Sequence, residues 1–173
     1  MNVRVRALEE PDIEETIRVM KEAWTDSYES LESDYYPREA HEFDMGLNTA
    51  ERYTASMEYE YGFFFIAEAD GRIAGSIRGE IIGKSGFAMI RNIAVHPDFH
   101  RNGIGQALME HTLEYLKAKG CHKVSLNTMP VLLPAIGLYL KLGFVPEAYL
   151  AKQWWGVDFI CMSKWFEKKT NSA

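Results

Sequence analysis

The sequence predicts an α/β (α+β) domain with a mixed, mostly antiparallel central sheet of about seven strands, flanked by about four helices. Three observations carry that prediction. Short strand-like segments between Phe63 and Val95 are divided by glycine turns, the pattern of antiparallel strands. From Phe87 to Lys119 a strand, a glycine turn and an amphipathic helix follow one another, and the helix crossover makes the next strand a parallel neighbour. Finally, 173 residues with 47% hydrophobic and 25% charged content describe one globular unit with a substantial core. Residues 1–173 therefore read as a single domain.

The elements follow in order. Val3 and Val5 alternate with Arg4 and Arg6 in a first strand that runs to about Leu8. Pro11 suits the first turn of a helix, where Asp12, Glu14 and Glu15 complement the dipole and Ile13, Ile17, Met20 and Trp24 form the inward stripe. The pattern weakens from Trp24 to Pro37, as in a loop or broken helix, and Arg38 to Tyr59 reads as a second helix. Strands over Phe63–Glu68 and Arg72–Ile82 are joined by Asp70-Gly71, a pair that tolerates the positive φ of a tight hairpin. Gly83 to Gly86 turns the chain again, into a strand over Phe87–Val95. The glycine-flanked helix stops at Gly120, a strand covers Lys123–Asn127, and a helix opens at Pro134 and closes at Gly143. Strands over Phe144–Leu150 and Val157–Trp165 complete the domain, and the polar tail 167–173 is expected to fray.

The rest is organised around Ile93 to Leu108. Ile93, Ala94 and Val95 end a strand that Pro97 closes, and Ile104, Ala107, Leu108 and Thr112 begin a helical stripe. Gly103 and Gly105 stand between. Glycine lets backbone N–H groups approach a bulky anion, and a helix N-terminus offers unpaired N–H groups with partial positive charge. Together they suit a phosphate or pyrophosphate. A Rossmann fingerprint fails because Leu108 stands three residues beyond Gly105, and a P-loop fails because Gly79 to Ser85 is one residue short.

The run Val95-His-Pro-Asp-Phe-His100-Arg-Asn-Gly103-Ile-Gly105 resembles the acyl-CoA signature Q/R-x-x-G-x-G/A of the GNAT superfamily of N-acetyltransferases. The segment Leu133 to Phe144, with Tyr139 and Gly143, is similar to that family's penultimate helix and following strand. Two departures stand out: His100 replaces the usual Gln or Arg, and Leu132 replaces a frequent Asn. The resemblance implies acetyl-CoA as cofactor, with Ile93, Ala94 and Val95 holding pantetheine where two parallel strands splay. His100, Arg101, Asn102, Gly103, Ile104, Gly105 and Gln106 would hold the pyrophosphate. It also implies transfer of an acetyl group to a primary amine by direct attack in a ternary complex.

That reaction needs a neutral amine and a donor for the departing sulfur, since an alkyl ammonium has a pKa of about 10.4. Tyr139 matches the tyrosine that the family places beside the thioester and is the candidate general acid. The family's usual carboxylate before the cofactor loop is missing from Phe87–Asn92. Glu80 on the preceding strand is the candidate base through water, with His111 and His41 as alternatives.

In the resembling family, residues like Glu29–Asp44 wall the acceptor site. Here they are acidic and aromatic, which suits a cationic small-molecule amine. Trp154 and Trp155 are further specificity candidates, with an exposed one expected at the acceptor cleft or in a homodimer contact. A net charge of −6 argues against a nucleic-acid partner. No run is long and apolar enough for a membrane span, no signal-peptide pattern opens the chain, and Cys121 and Cys161 form no metal or disulfide framework, which predicts a cytoplasmic protein. His96 and His100 lack a shared helical face, so no metal site is expected. The alternatives to a small-molecule enzyme are a protein or peptide N-acetyltransferase and a non-catalytic acyl-CoA sensor.

Overall fold

The computed structural model describes residues 1–167, so the expectation for the tail falls almost wholly outside the described residues. Seven strands form one sheet: β1 (Val3–Ala7), β2 (Gly62–Ala69), β3 (Arg72–Ile81), β4 (Phe87–Val95), β5 (Lys123–Thr128), β6 (Val145–Trp154) and β7 (Val157–Trp165). Their spatial order is β1-β2-β3-β4-β5-β7-β6. All neighbours are antiparallel except β4 and β5. The helices are α1 (Ile13–Ser27), α2 (Arg38–Gly46), α3 (Ala50–Glu58), α4 (Ile104–Ala118) and α5 (Leu133–Lys141).

Two helical boundaries differ from expectation. The chain stays helical after Trp24: α1 continues to Ser27 and widens into a π-helical turn over Tyr28–Glu32. The single helix expected over residues 38–59 is two. Thr49 accepts from the Arg52 N–H at 3.4 Å and caps a new helix, while buried Asn48 accepts from the Tyr53 hydroxyl at 3.0 Å and donates to the Asp44 carbonyl at 3.2 Å. Local side-chain bonds of this kind compete with helix continuation. Both hairpin turns form as expected, with positive φ at Asp70, Gly71, Gly83 and Gly86.

The middle of the sheet is buried on both faces. In β2, Phe63 and Phe65 pack with Ile104, Leu108 and Leu116 of α4, whereas Phe64 and Ile66 pack with Met20 and Ala23 of α1 and Tyr53 of α3. Period-two alternation thus feeds two cores from one strand, which is why the segment reads as continuously apolar. Each such side chain contributes roughly 1.5–3 kcal/mol on burial.

Two irregularities shape the middle of the sheet. β4 and β5 pair only from Phe87 opposite Lys123 to Met89 opposite Ser125, and beyond that the parallel strands separate. On its other edge β4 carries an extra residue, because Arg78 pairs with Asn92 while Gly79 pairs with Ile90. Arg91 is the bulged residue, and a Cβ on Gly79 would overlap the Met89 carbonyl, so this bulge requires glycine opposite.

Candidate active site

Where β4 and β5 part, the backbone of β4 is free on one edge. The His96 N–H donates to the Ala74 carbonyl on β3, so by alternation the polar groups of Ile93 and Val95 face the gap. The Val95 carbonyl is bonded to the His100 ring through Nε2 at 3.0 Å, which leaves Ile93 with both of its groups available there. Beyond the strand, His96 ties the chain to α1, its Nε2 lying 2.6 Å from Glu22 and its Nδ1 accepting from the Asp98 N–H. The two histidines thus serve different structural bonds.

The loop then enters α4 through two left-handed residues, Arg101 at φ 62° and Gly103 at φ 77°. Among the described residues no backbone carbonyl accepts from the N–H groups of Arg101 to Gln106, and the first helical bond runs from Ala107 to Gly103. A Cβ on Gly105 would lie 3.3 Å from Leu138 and 3.6 Å from Val95, so any larger residue would fill the cradle between α4, β4 and α5. A cleft of about 740 Å³ runs past these groups. Ile93, Ala94, Val95, His100, Arg101, Gly103, Ile104, Gly105 and Gln106 all line it. Asn102 does not; its side chain donates to the His100 carbonyl at 3.3 Å and shapes the loop instead. Ser27, Ser30 and Leu31 close the opposite wall, a contribution that sequence periodicity could not locate because it depends on the π-helical turn.

A second, smaller cavity of about 220 Å³ lies deeper along the β4–β5 gap. Five residues line both spaces: Trp24, Glu32, Ile93, Leu132 and Tyr139. At this junction the two cavities adjoin. Tyr139 is 5% exposed, and among the described residues no group bonds its hydroxyl. Burial pushes its pKa up to about 12, so it stays protonated and able to donate at neutral pH.

The smaller cavity gathers the acidic and aromatic residues of the α1–α2 connection. Glu32, Tyr36, His41 and Asp44 line it opposite Asn127 and Thr128 of β5 and Phe159 of β7. The Tyr36 hydroxyl donates to Asp44 at 2.8 Å, and the Tyr35 hydroxyl donates to the Asp158 carbonyl at 2.8 Å, pinning this segment to the β6–β7 hairpin. His41 stacks on Tyr28 with centroids 4.2 Å apart, and burial lowers its pKa, which disfavours imidazolium. Leu132 stands where an amide would have reached into both spaces, so the wall there is apolar.

Other expected residues fall elsewhere. Glu80 lines neither cavity; Arg91 holds it through Nε at 2.8 Å and Nη2 at 2.5 Å. His111 packs edge-on against Phe65 at 4.6 Å, on the far side of α4. Trp154 and Trp155 are both exposed and line neither space: Trp154 packs on Phe159 at 4.9 Å and Trp155 on Phe43 at 5.6 Å.

Residues 17–144 match the model of the Acetyltransferase (GNAT) family, and the chain belongs to that family. A curated relative, an acetyltransferase of Pectobacterium atrosepticum, is 35% identical over 88 residues, covering 51% of this chain and 61% of that one. The chain thus matches about three fifths of that relative's length. The crystal structure of PaiA N-acetyltransferase from Thermoplasma acidophilum in complex with coenzyme A superposes with a TM-score of 0.81, at 24% identity over 96% of this chain and 100% of that one. The ribosomal-protein-S18-alanine N-acetyltransferase of Escherichia coli superposes at 0.72, with 21% identity over 99% of both chains. GNAT acetyltransferases use acetyl-CoA, and the cradle at Gly105 with its run of unbonded N–H groups fits a diphosphate. Among the described residues no helix is long and apolar enough to cross a membrane.

Proposed function

We propose that this protein transfers the acetyl group of acetyl-CoA to the primary amine of a small cationic molecule, by direct attack within a ternary complex. Acetyl-CoA supplies the activated acyl group as a thioester. The N–H groups from Arg101 to Gln106 bind the pyrophosphate, with the α4 dipole adding positive potential. The free N–H and C=O of Ile93 pair with the pantetheine arm as an added strand would. Tyr139 gives its hydroxyl proton to the sulfur and regains one from the nitrogen of the new amide.

The single observation that carries this reading is the junction. A cleft suited to a long phosphorylated ligand meets a small acidic cavity at the hydroxyl of a buried tyrosine, which has no protein partner among the described residues. A cavity of about 220 Å³ with Glu32 and Asp44 in its wall suits a compact cationic head better than a polypeptide. The test is release of free thiol from acetyl-CoA with polyamines, amino sugars, amino acids and N-terminal peptides. Turnover highest with compact cationic amines is expected. Turnover confined to peptides would establish the protein-acceptor reading instead, and acetyl-CoA binding without thiol release would establish a sensor.

A further inference from the structure

β4 carries no carboxylate, and the guanidinium of Arg91 occupies Glu80, so the proton of the acceptor ammonium needs another destination. At neutral pH only about one alkyl amine in a thousand is unprotonated, which makes this transfer a requirement of the reaction. Of the five residues shared by the two cavities, Trp24, Ile93 and Leu132 cannot accept a proton, and Tyr139 is a donor. One group remains.

We propose that Glu32 is the base that takes the proton from the acceptor ammonium. Its carboxylate stands in the π-helical turn at the end of α1, where the chain crosses the mouth of the β4–β5 gap. The Ser27 hydroxyl donates to its Oε1 at 2.5 Å, which fixes the rotamer and leaves the second oxygen free of protein partners among the described residues. The wall of the smaller cavity also includes Thr128, which is 4% exposed and whose Oγ1, closed to solvent, has no hydrogen-bond partner among the described residues.

The groups that share these spaces with Glu32 come from several elements. Asp44, His41 and Tyr36 face it from α2 and the turn before it, Arg91 from β4, and Tyr139 from α5. Asp26 of α1 lies in the larger cleft, with His100 and Arg101 at its far end. Burial raises the Glu32 pKa, Asp44 pushes the same way, and the Ser27 bond partly offsets both, bringing the carboxyl closer to working pH. In the transfer an ammonium N–H bond breaks and a carboxyl O–H bond forms on Glu32. The lone pair released forms the amide C–N bond as the thioester C–S bond breaks. Glu32 then returns its proton to solvent through the cleft.

The inference rests on the function proposed above, and the experiment separates the two. kcat/KM for the amine is measured against pH for wild type, Glu32→Gln and Ser27→Ala, with acetyl-CoA binding followed by thermal shift. Glu32→Gln should lose about 10²–10⁴-fold near pH 7 and keep its acetyl-CoA shift. The deficit should shrink as pH approaches 10, where the amine deprotonates unaided. Ser27→Ala should move the acid limb of the profile to higher pH, because the carboxylate loses a donor, and this second variant decides the matter if Glu32→Gln does not fold. A deficit constant across pH, an unchanged rate, or an unmoved limb in Ser27→Ala overturns the role of Glu32. Wild-type enzyme that releases no thiol with any amine overturns the function and this role together.

Discussion

At the scale of single residues, Tyr139 shows how position changes chemistry. A tyrosine on a helix stripe beside Leu138 and Leu140 is ordinarily a packing residue, and packing does hold the ring here, against Phe144 at 6.0 Å between centroids. The hydroxyl, however, ends at the meeting point of two cavities with its proton firmly held. Tyr139→Phe keeps the packing and removes the donor. It should lower kcat by about 10²–10⁴-fold while leaving the acetyl-CoA-dependent rise in melting temperature intact, measured by steady-state kinetics and thermal unfolding. Glu80 illustrates the reverse. Its residue type fits a base, and its ion pair with Arg91 assigns it to fixing the bulge of β4.

At the scale of elements, the N-terminus of α4 and the parting of β4 from β5 make the cleft proposed to hold the cofactor. Gly105→Glu would place bulk and negative charge in the cradle beside Leu138 and Val95. The stabilisation expected from acetyl-CoA at a hundred times its dissociation constant, about 2.7 kcal/mol, should disappear. A second element-level device ties β1 to the turn before α1. Arg6 donates to both oxygens of Asp12, at 2.6 and 2.9 Å, and also to Glu68 of β2. The Arg6 guanidinium holds the Asp12 carboxyl below its usual range. Because that folded-state pKa is depressed, the stability it contributes is present above the unfolded value of 3.8 and is lost as pH falls through the folded one. Asp12→Asn should cost of order 1 kcal/mol at pH 7 and almost nothing in strong acid, read from denaturant midpoints at the two pH values.

At the scale of the whole molecule, the net charge of −6 and the acidic wall at Glu32 and Asp44 set up a field that attracts a cationic acceptor. Raising ionic strength from about 0.05 M to about 0.5 M shortens the Debye length from roughly 14 Å to about 4 Å. KM for a cationic amine should rise several-fold over that range while kcat changes little, and a neutral amine should show no such trend. The sheet that carries the site depends on its inner strands. Ile77 of β3 is fully buried, and Ile77→Ala should cost about 2–5 kcal/mol in urea unfolding.

Much of this was legible in the residues themselves, because the forces that set it are local. Alternation placed the strands, Asp70-Gly71 and Gly83 to Gly86 placed the hairpins, and the glycines around Ile104 placed the turn into α4. The motif also brought nine of the ten expected cofactor residues to one cleft, Asn102 being turned back onto its own loop. The break at Asn48-Thr49 is set by a buried asparagine and a threonine cap, whose partners only the folded chain reveals.

What the chain order alone determined is the kind of sheet and the anion cradle at its centre, since hydrogen-bond period and backbone freedom act between near neighbours. Only the tertiary structure decided which carboxylate stands where the two cavities join. Glu80 and Glu32 are equally acidic residues in sequence, and the difference between them is that Arg91 neutralises one while the turn after α1 holds the other, half-buried, where two cavities join. Proton affinity and reach depend on what folds around a group, and those neighbours come from segments far apart along the chain.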